Sequence, residues 1–256
     1  MRDYLASEIR NVTILGHAGS GKSSLVEAML HYTKAIDKLV RIGEHCQTVD
    51  FDSEEVKRKQ SIYNALAPVL WKECKINFID SPGYLDFEGE KMAALEVSDN
   101  ALIVLNAKEG VQSGTIRAYK EVSKRYLPTI FFINKMDEDN VSFEVVYNDL
   151  RDKFGKSVIA FEMPIIENDK VVGSINILRK KAWYYNDRKT AKEIPSELSA
   201  KVDEYYNQIA EAIAMGSDEL MEKFFSGEEF STEEIALGLR MGVRSGEIRP
   251  VYCGVQ

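Results

Sequence analysis

From Asn11 to Phe154, short apolar runs alternate with stretches of helical spacing. "NVTILG" (11–16) is a β-branched run closed by glycine, and it predicts a buried strand. "GKSSLVEAMLHYTK" follows, with Leu25, Ala28, Met29 and Tyr32 on one helical face. "SIYNALAPVLWK" and "KINFID" predict the two strands of a hairpin, "EGEKMAALEVSD" a helix and "NALIVLNA" another buried strand. Next come a helix over "SGTIRAYKEVSKRY" with Ser113 as its cap, a strand "PTIFFIN" opened by Pro128, and a helix "SFEVVYNDLRDKF". This alternation predicts an α/β fold, a mostly parallel sheet of six strands with helices on both faces. The stretch from Ala35 to Gln60 is charged and weakly periodic, and reads as a long mobile loop.

The pattern changes near Ser157. "SVIAFEMPIIENDKVVGSINILRKKAWYYND" alternates apolar and polar residues around an "NDK" turn, which predicts antiparallel strands of a small subdomain. A helix over Pro195 to Met215 and two shorter ones follow, and "IRPVYCGV" predicts a strand returning to the parallel sheet. The division expected is a core at 1–157, an inserted α+β subdomain at 158–249, and the last core strand at 250–256.

Composition narrows the class. With 256 residues the chain suits one enlarged domain or two small ones, against about 150 residues per domain. Hydrophobic residues at 45% are enough for a good core. Thirty-three basic against 41 acidic residues leave a charge of −8, which speaks against wrapping a nucleic-acid backbone or reading a nucleic-acid sequence. Docking on a ribonucleoprotein through a small local patch remains compatible with it. Cys46, Cys74 and Cys253, and likewise His17, His31 and His45, lack metal-ligand spacing. No signal peptide, transit sequence or membrane span is visible, so a cytoplasmic protein without a membrane partner is expected.

Four motifs sit at predicted strand ends. "GHAGSGKS" (16–23) fits G-x-x-x-x-G-K-[ST] between a strand and a helix. The backbone of Gly16, His17, Ala18, Gly19, Ser20 and Gly21 can curl around phosphate oxygens, with Ser24 opening the helix, whose N-terminus adds positive charge. Lys22 reaches the terminal phosphates and Ser23 can ligate Mg2+. "DSPG" then offers Asp80 to hold the Mg2+ and the Gly83 N–H to sense a γ-phosphate, with Ser81 and Pro82 between them. In "NKMD", Asp137 can accept two hydrogen bonds from the guanine edge, which adenine cannot donate. Asn134 can bond to N7 and Lys135 can lie over the ring, with Met136 between. "CGV" (Cys253, Gly254, Val255) follows the last strand, where backbone N–H groups can meet the guanine O6. This order of motifs excludes a simple P-loop kinase and makes GTP or GDP the expected ligand.

"IRNVTILGHAGSGKSSLVEAML", "DSPGYLDFEGE", "ALIVLNAKEGVQSGT", "FFINKMD" and "GEEFSTEEIALGLRMGVRSGEIRPVYCG" together resemble elongation factor G and its ribosome-bound relatives. The resemblance spans almost the whole chain. It implies a P-loop NTPase fold, GTP hydrolysis stimulated by the ribosome, a monomer, and a G′ subdomain as the insertion. It also implies that Gln256 ends an isolated nucleotide-binding part of a longer protein.

Departures from the family pattern bear on the chemistry. "RKQSI" stands for the usual R-G-I-T-I, so Ser61 takes the place of the Thr that closes over Mg2+ and γ-phosphate. Gly19 replaces an Asp linked to a monovalent cation. Tyr84 replaces the usual catalytic His and joins Gly83 and Lys22 as the expected catalytic group. These departures suggest a divergent branch, and a slow or non-hydrolysing switch regulating a partner is the alternative reading.

Overall fold

The computed structural model describes residues 3–39 and 48–255. Residues 40–47 of the expected mobile loop, with His45 and Cys46, lie outside them, as does Gln256. The chain divides into two compact units, with the boundary between Leu127 and Pro128.

The first unit contains β1 (Ile9–Gly16), α1 (Lys22–Tyr32), α2 (Ser53–Arg58), β2 (Ala65–Trp71), β3 (Cys74–Asp80), α3 (Glu88–Glu96), β4 (Asn100–Asn106) and α4 (Ser113–Lys124). Its strands run in the order β2-β3-β1-β4. β1 is parallel to both neighbours, with Ile14 beside Asp80 of β3 and Leu102 of β4. Helices cover such strands on both faces, which is why β1 and β4 read as continuous apolar runs. Ile14, Leu15, Ile103, Val104 and Leu105 are almost wholly buried. β2 returns antiparallel to β3 through the two-residue turn Lys72-Glu73 and forms the edge. Pro68 in its middle fits an edge strand, where a missing N–H leaves no ladder bond unmade.

The second unit contains β5 (Thr129–Asn134), α5 (Phe143–Phe154), β6 (Val158–Ala160), β7 (Glu162–Glu167), β8 (Lys170–Asn176), β9 (Lys181–Tyr184), β10 (Asp187–Lys192), α6 (Ser196–Ala214), α7 (Asp218–Ser226), α8 (Thr232–Ser245) and β11 (Arg249–Cys253). β11 is parallel to β5 on one side and to β6 on the other. β10-β9-β8-β7 form a separate antiparallel sheet, as an inserted subdomain would. Polar burial between α5 and α6 is fully satisfied: the Tyr147 hydroxyl donates to Gln208 Oε1 at 2.7 Å and accepts from Ala160 N at 3.3 Å. Arg151 donates to the same two side chains, and Tyr205 packs edge-on against the Tyr147 ring at 5.2 Å.

The fold is thus a mixed α/β one with largely parallel strands flanked by helices. Three sequence expectations are corrected. Four strands in the first unit and three in the second make seven, against six, because Val158–Ala160 pairs with β11 rather than with the antiparallel strands. Within the expected mobile loop, Ser53–Arg58 is helical. Asp52 accepts from Glu54 N and Glu55 reaches back to Asp52 N, a reciprocal cap that holds this single turn and a half in place. At α4 the N-cap is Gln112, and Ser113 is already helical. Among the described residues no helix is long and apolar enough to cross a membrane.

Candidate functional site

The parallel register delivers two of the motifs together. Because Ile14 lies beside Asp80, the loop leaving β1 and the acid closing β3 emerge at the same end of the sheet, and Ser81 N donates to Ile14 O at 3.3 Å. At Gly16, φ is 147° and a Cβ would lie 2.2 Å from the Val104 carbonyl, so only glycine lets the loop turn against β4. Gly21 caps α1, and Lys22 opens it.

Lys22 is 7% exposed, and its ammonium folds back onto the loop, donating to His17 O at 3.1 Å and Gly16 O at 3.4 Å. Burial lowers its pKa, opposed by the nearby carboxylates of Asp80 and Asp50. Asp80 is 1% exposed. Its Oδ2 accepts from Ser23 Oγ at 2.6 Å, while its Oδ1 is buried with no partner among the described residues. Burial raises this carboxyl to about 6, against the pull of Lys22 and Ser23. Ser23 Oγ also meets Ser61 Oγ at 3.2 Å, and Ser61 donates to Asp50 Oδ1 at 2.7 Å. Two hydroxyls, Asp80 and Asp50 therefore form a cluster of oxygen donors beside a buried ammonium. The orphaned Asp80 Oδ1 is the observation that fits a cation. A hard divalent ion such as Mg2+ suits this donor set, and phosphate oxygens can complete its shell.

Gly83 is pressed onto the phosphate loop. A Cβ there would lie 2.5 Å from Lys22 Nζ and 2.8 Å from the Ala18 backbone nitrogen. Tyr84 follows at the start of a short 3-10 turn, Leu85–Phe87, and is 46% exposed. Its hydroxyl makes no hydrogen bond among the described residues. Gly83, Tyr84, Lys91 and Arg117 line a notch of about 10 Å³, close to the space of one water.

Sequence reasoning missed the carboxylates that tie down residues 48–64. Glu27 of α1 accepts from Thr48 N at 2.9 Å. Glu55 accepts from Ile62 N at 2.8 Å and Tyr63 N at 3.0 Å, and Glu90 of α3 accepts from Asn64 N at 2.9 Å. The D-x-x-E spacing of Asp52 and Glu55 was a legible helix-cap signal; Asp50 left none.

The base-type motifs fall in the second unit. Asn134 ends β5 and is buried, while Lys135 takes φ 62° and holds Glu138 at 3.6 Å. Met136 N donates to Gly254 O at 3.0 Å, and Gly254 N donates to Ile133 O at 2.9 Å. The N-K-M-D loop and the loop after β11 are thereby latched together, with Asp137 exposed and Val255 half-buried beside them. Gly254 also sits where a Cβ would touch the Phe132 ring at 2.6 Å. Burial pushes the Cys253 thiol well up, so it stays protonated.

Of the residues expected at the site, the first unit brings together Lys22, Ser23, Ser61, Asp80 and Gly83. The second brings together Asn134, Lys135, Met136 and Asp137 with the Cys253–Val255 loop. A phosphate loop at one strand end, an acid beside its serine, and a guanine-type motif latched to the last strand define a guanine-nucleotide-binding P-loop domain. The chain belongs to the elongation factor Tu GTP-binding domain family, which it matches over residues 7–254. Members of that family are GTPases. A Thermus thermophilus protein of known crystal structure has the same fold with a TM-score of 0.90 and 33% identity. The match covers 98% of this chain and 38% of that one, so the chain spans well under half the length of that relative.

Proposed function

We propose that this chain is the GTP-hydrolysing part of an elongation factor G-like translation factor that works on the ribosome, as a monomer in the cytoplasm. The observation that carries the reading is the buried Asp80, one oxygen on Ser23 and the other without a partner among the described residues, beside the buried Lys22. Mg2+ bound there would polarise the phosphates, with Ser23, Ser61 and Asp80 as its protein ligands. Lys22 would leave the carbonyls of Gly16 and His17 for the phosphate oxygens, which restores the charge balance of a buried ammonium. Gly83 N–H would report the γ-phosphate. Asp137 and Asn134 would read guanine, with Gly254 steadying their loop through Met136. The division into a core (1–157), an inserted subdomain (158–249) and a closing strand (250–256) belongs to the same proposal.

Tyr84 decides how fast such a site turns over. Its phenol can donate or accept a hydrogen bond and so can hold a water. Positioning supplies most of the rate in phosphoryl transfer, so holding the water can suffice. Its hydroxyl has no hydrogen-bond partner among the described residues to aim it at a water, which favours a second reading, in which the ring takes no part in hydrolysis and the chain is a slow GTP/GDP switch for a partner. Single-turnover GTP hydrolysis with and without ribosomes separates the two. Tyr84→Phe is expected to lower the rate by about ten- to a thousandfold if the hydroxyl orders the water. No ribosome-stimulated turnover by the wild-type full-length protein would replace the first reading with the second.

A further inference from the structure

Away from the nucleotide motifs, the far end of the first unit carries a pair of aromatic rings on its surface. Tyr32, the last residue of α1, is 74% exposed, and Trp71, the last residue of β2, is 42% exposed. Their ring centroids are 5.6 Å apart with planes inclined at 42°. Tyr and Trp combine a large apolar ring with a polar handle and are enriched at interfaces, so two exposed side by side offer a contact surface.

Each ring is followed closely by an exposed lysine in a backbone conformation that lysine does not favour. Lys34 takes φ 60° just past α1. Its N–H bonds to His31 O and the N–H of Ala35 bonds to Leu30 O, so it fills the helix-ending position that glycine usually takes. Lys72 takes φ 53° in the two-residue turn after Trp71, where Asn or Gly is at ease. Charge at the end of α1 accounts for a cation at Lys34, but no helix ends at Lys72. Neither lysine has an ion-pair or hydrogen-bonding side-chain partner among the described residues.

We propose that Tyr32 and Trp71, rimmed by Lys34 and Lys72, form a stacking platform for single-stranded RNA. A nucleobase offers a flat π-face to the rings, and its flanking phosphates offer the lysines the anions they lack. Charge complementarity selects this occupant: Lys34 and Lys72, with the exposed Glu73 beside the second, can neutralise only a few phosphates, which suits a short anionic strand. Stacking tolerates any base, so the platform confers RNA affinity without sequence choice. It does not depend on the assignment of the nucleotide site.

Trp71 supplies the readout. In a Trp183→Phe background Trp71 is the one tryptophan, and its fluorescence is followed while single-stranded oligouridine hexamers are added to the whole chain. Quenching is expected, with affinity about tenfold weaker in Tyr32→Leu. In Lys34→Ala/Lys72→Ala the slope of log affinity against log salt should flatten by about 0.7 per lysine. GTP binding serves as the folding control and should be unchanged in every variant. The proposal is overturned if the hexamer leaves Trp71 emission unmoved, or if both sets of variants bind it as the parent does. It is overturned equally if duplex RNA or polyglutamate quenches as well as the hexamer, or if the quenching tracks self-association of the chain in sedimentation.

Discussion

The two compact units treat buried polar groups in opposite ways. Among the described residues of the first, Glu27, Asn64, Asn77, Asp80, Ser81, Thr115 and Ser123 each bury a side-chain oxygen without a hydrogen-bond partner; among those of the second there is none. Each such atom costs about 1–3 kcal/mol against its solvated state. A scaffold has no reason to bear that cost, and the Tyr147–Gln208–Arg151 network shows a scaffold avoiding it. A site that is to receive charged phosphates and a cation does have a reason, and Asp80 and Ser81 stand at the loop where those would arrive. At Asp80 and Ser81 the unsatisfied burial falls where the proposed phosphates and cation would bind.

Breaking the satisfied network should therefore hurt stability most. Tyr147→Ala removes a fully buried ring along with three hydrogen bonds, and is expected to cost about 3–5 kcal/mol in urea unfolding. A loss under 1 kcal/mol would show that the network is idle. On the binding side, Asp137→Asn should cost about 2–4 kcal/mol in GTP affinity and turn preference to xanthine nucleotides. Calorimetric titration with both nucleotides checks it, and unchanged GTP binding removes Asp137 from the site. Ser61→Ala takes one oxygen from the cluster of Ser23, Asp80 and Asp50, so the Mg2+ requirement for binding a GTP analogue should rise by about 1 kcal/mol, or fivefold, with Ser61→Thr restoring it.

The smallest effect tests whether a satisfied acid can still be costly. Glu162 opens β7, accepts from Ser174 Oγ, and has its carboxyl pushed up by burial despite that bond. A raised folded-state pKa means that the native protein holds the proton more tightly. This acid's contribution to stability is thus fully present below its unfolded pKa, about 4.3, and is lost as pH rises through the folded value. The melting temperature of the wild type should fall over that window. Glu162→Gln should flatten the fall and gain no more than about 1 kcal/mol at neutral pH. A variant with an unaltered pH profile would show that Ser174 already offsets the burial.

Legibility in the sequence followed the range of the interactions involved. The strand and helix order was readable because buried parallel strands need unbroken apolar runs and helices need their own period, both local properties. The phosphate loop and N-K-M-D were readable because backbone geometry and guanine's edge restrict which residues serve. What escaped depends on partners far along the chain. Asp50 gains its place from Ser61, Glu27 from Thr48, and β6 from β11, none of which a local pattern announces. The helix at Ser53–Arg58 is the exception. Its cap spacing was present, and its high charge masked it, since a single turn and a half offers too few apolar positions to show a period.

Pro68 carries one more consequence. β2 is an edge strand whose outward positions include Leu66 and Leu70, both well exposed, so it has the makings of a seed for runaway strand addition between molecules. An incoming strand would find, halfway along, a ring where it needs a donor. The ladder would stop there, short of the length at which fibre-like stacking sustains itself. A proline that the fold merely tolerates is thus a gatekeeper, keeping a sticky margin from propagating in a crowded cell.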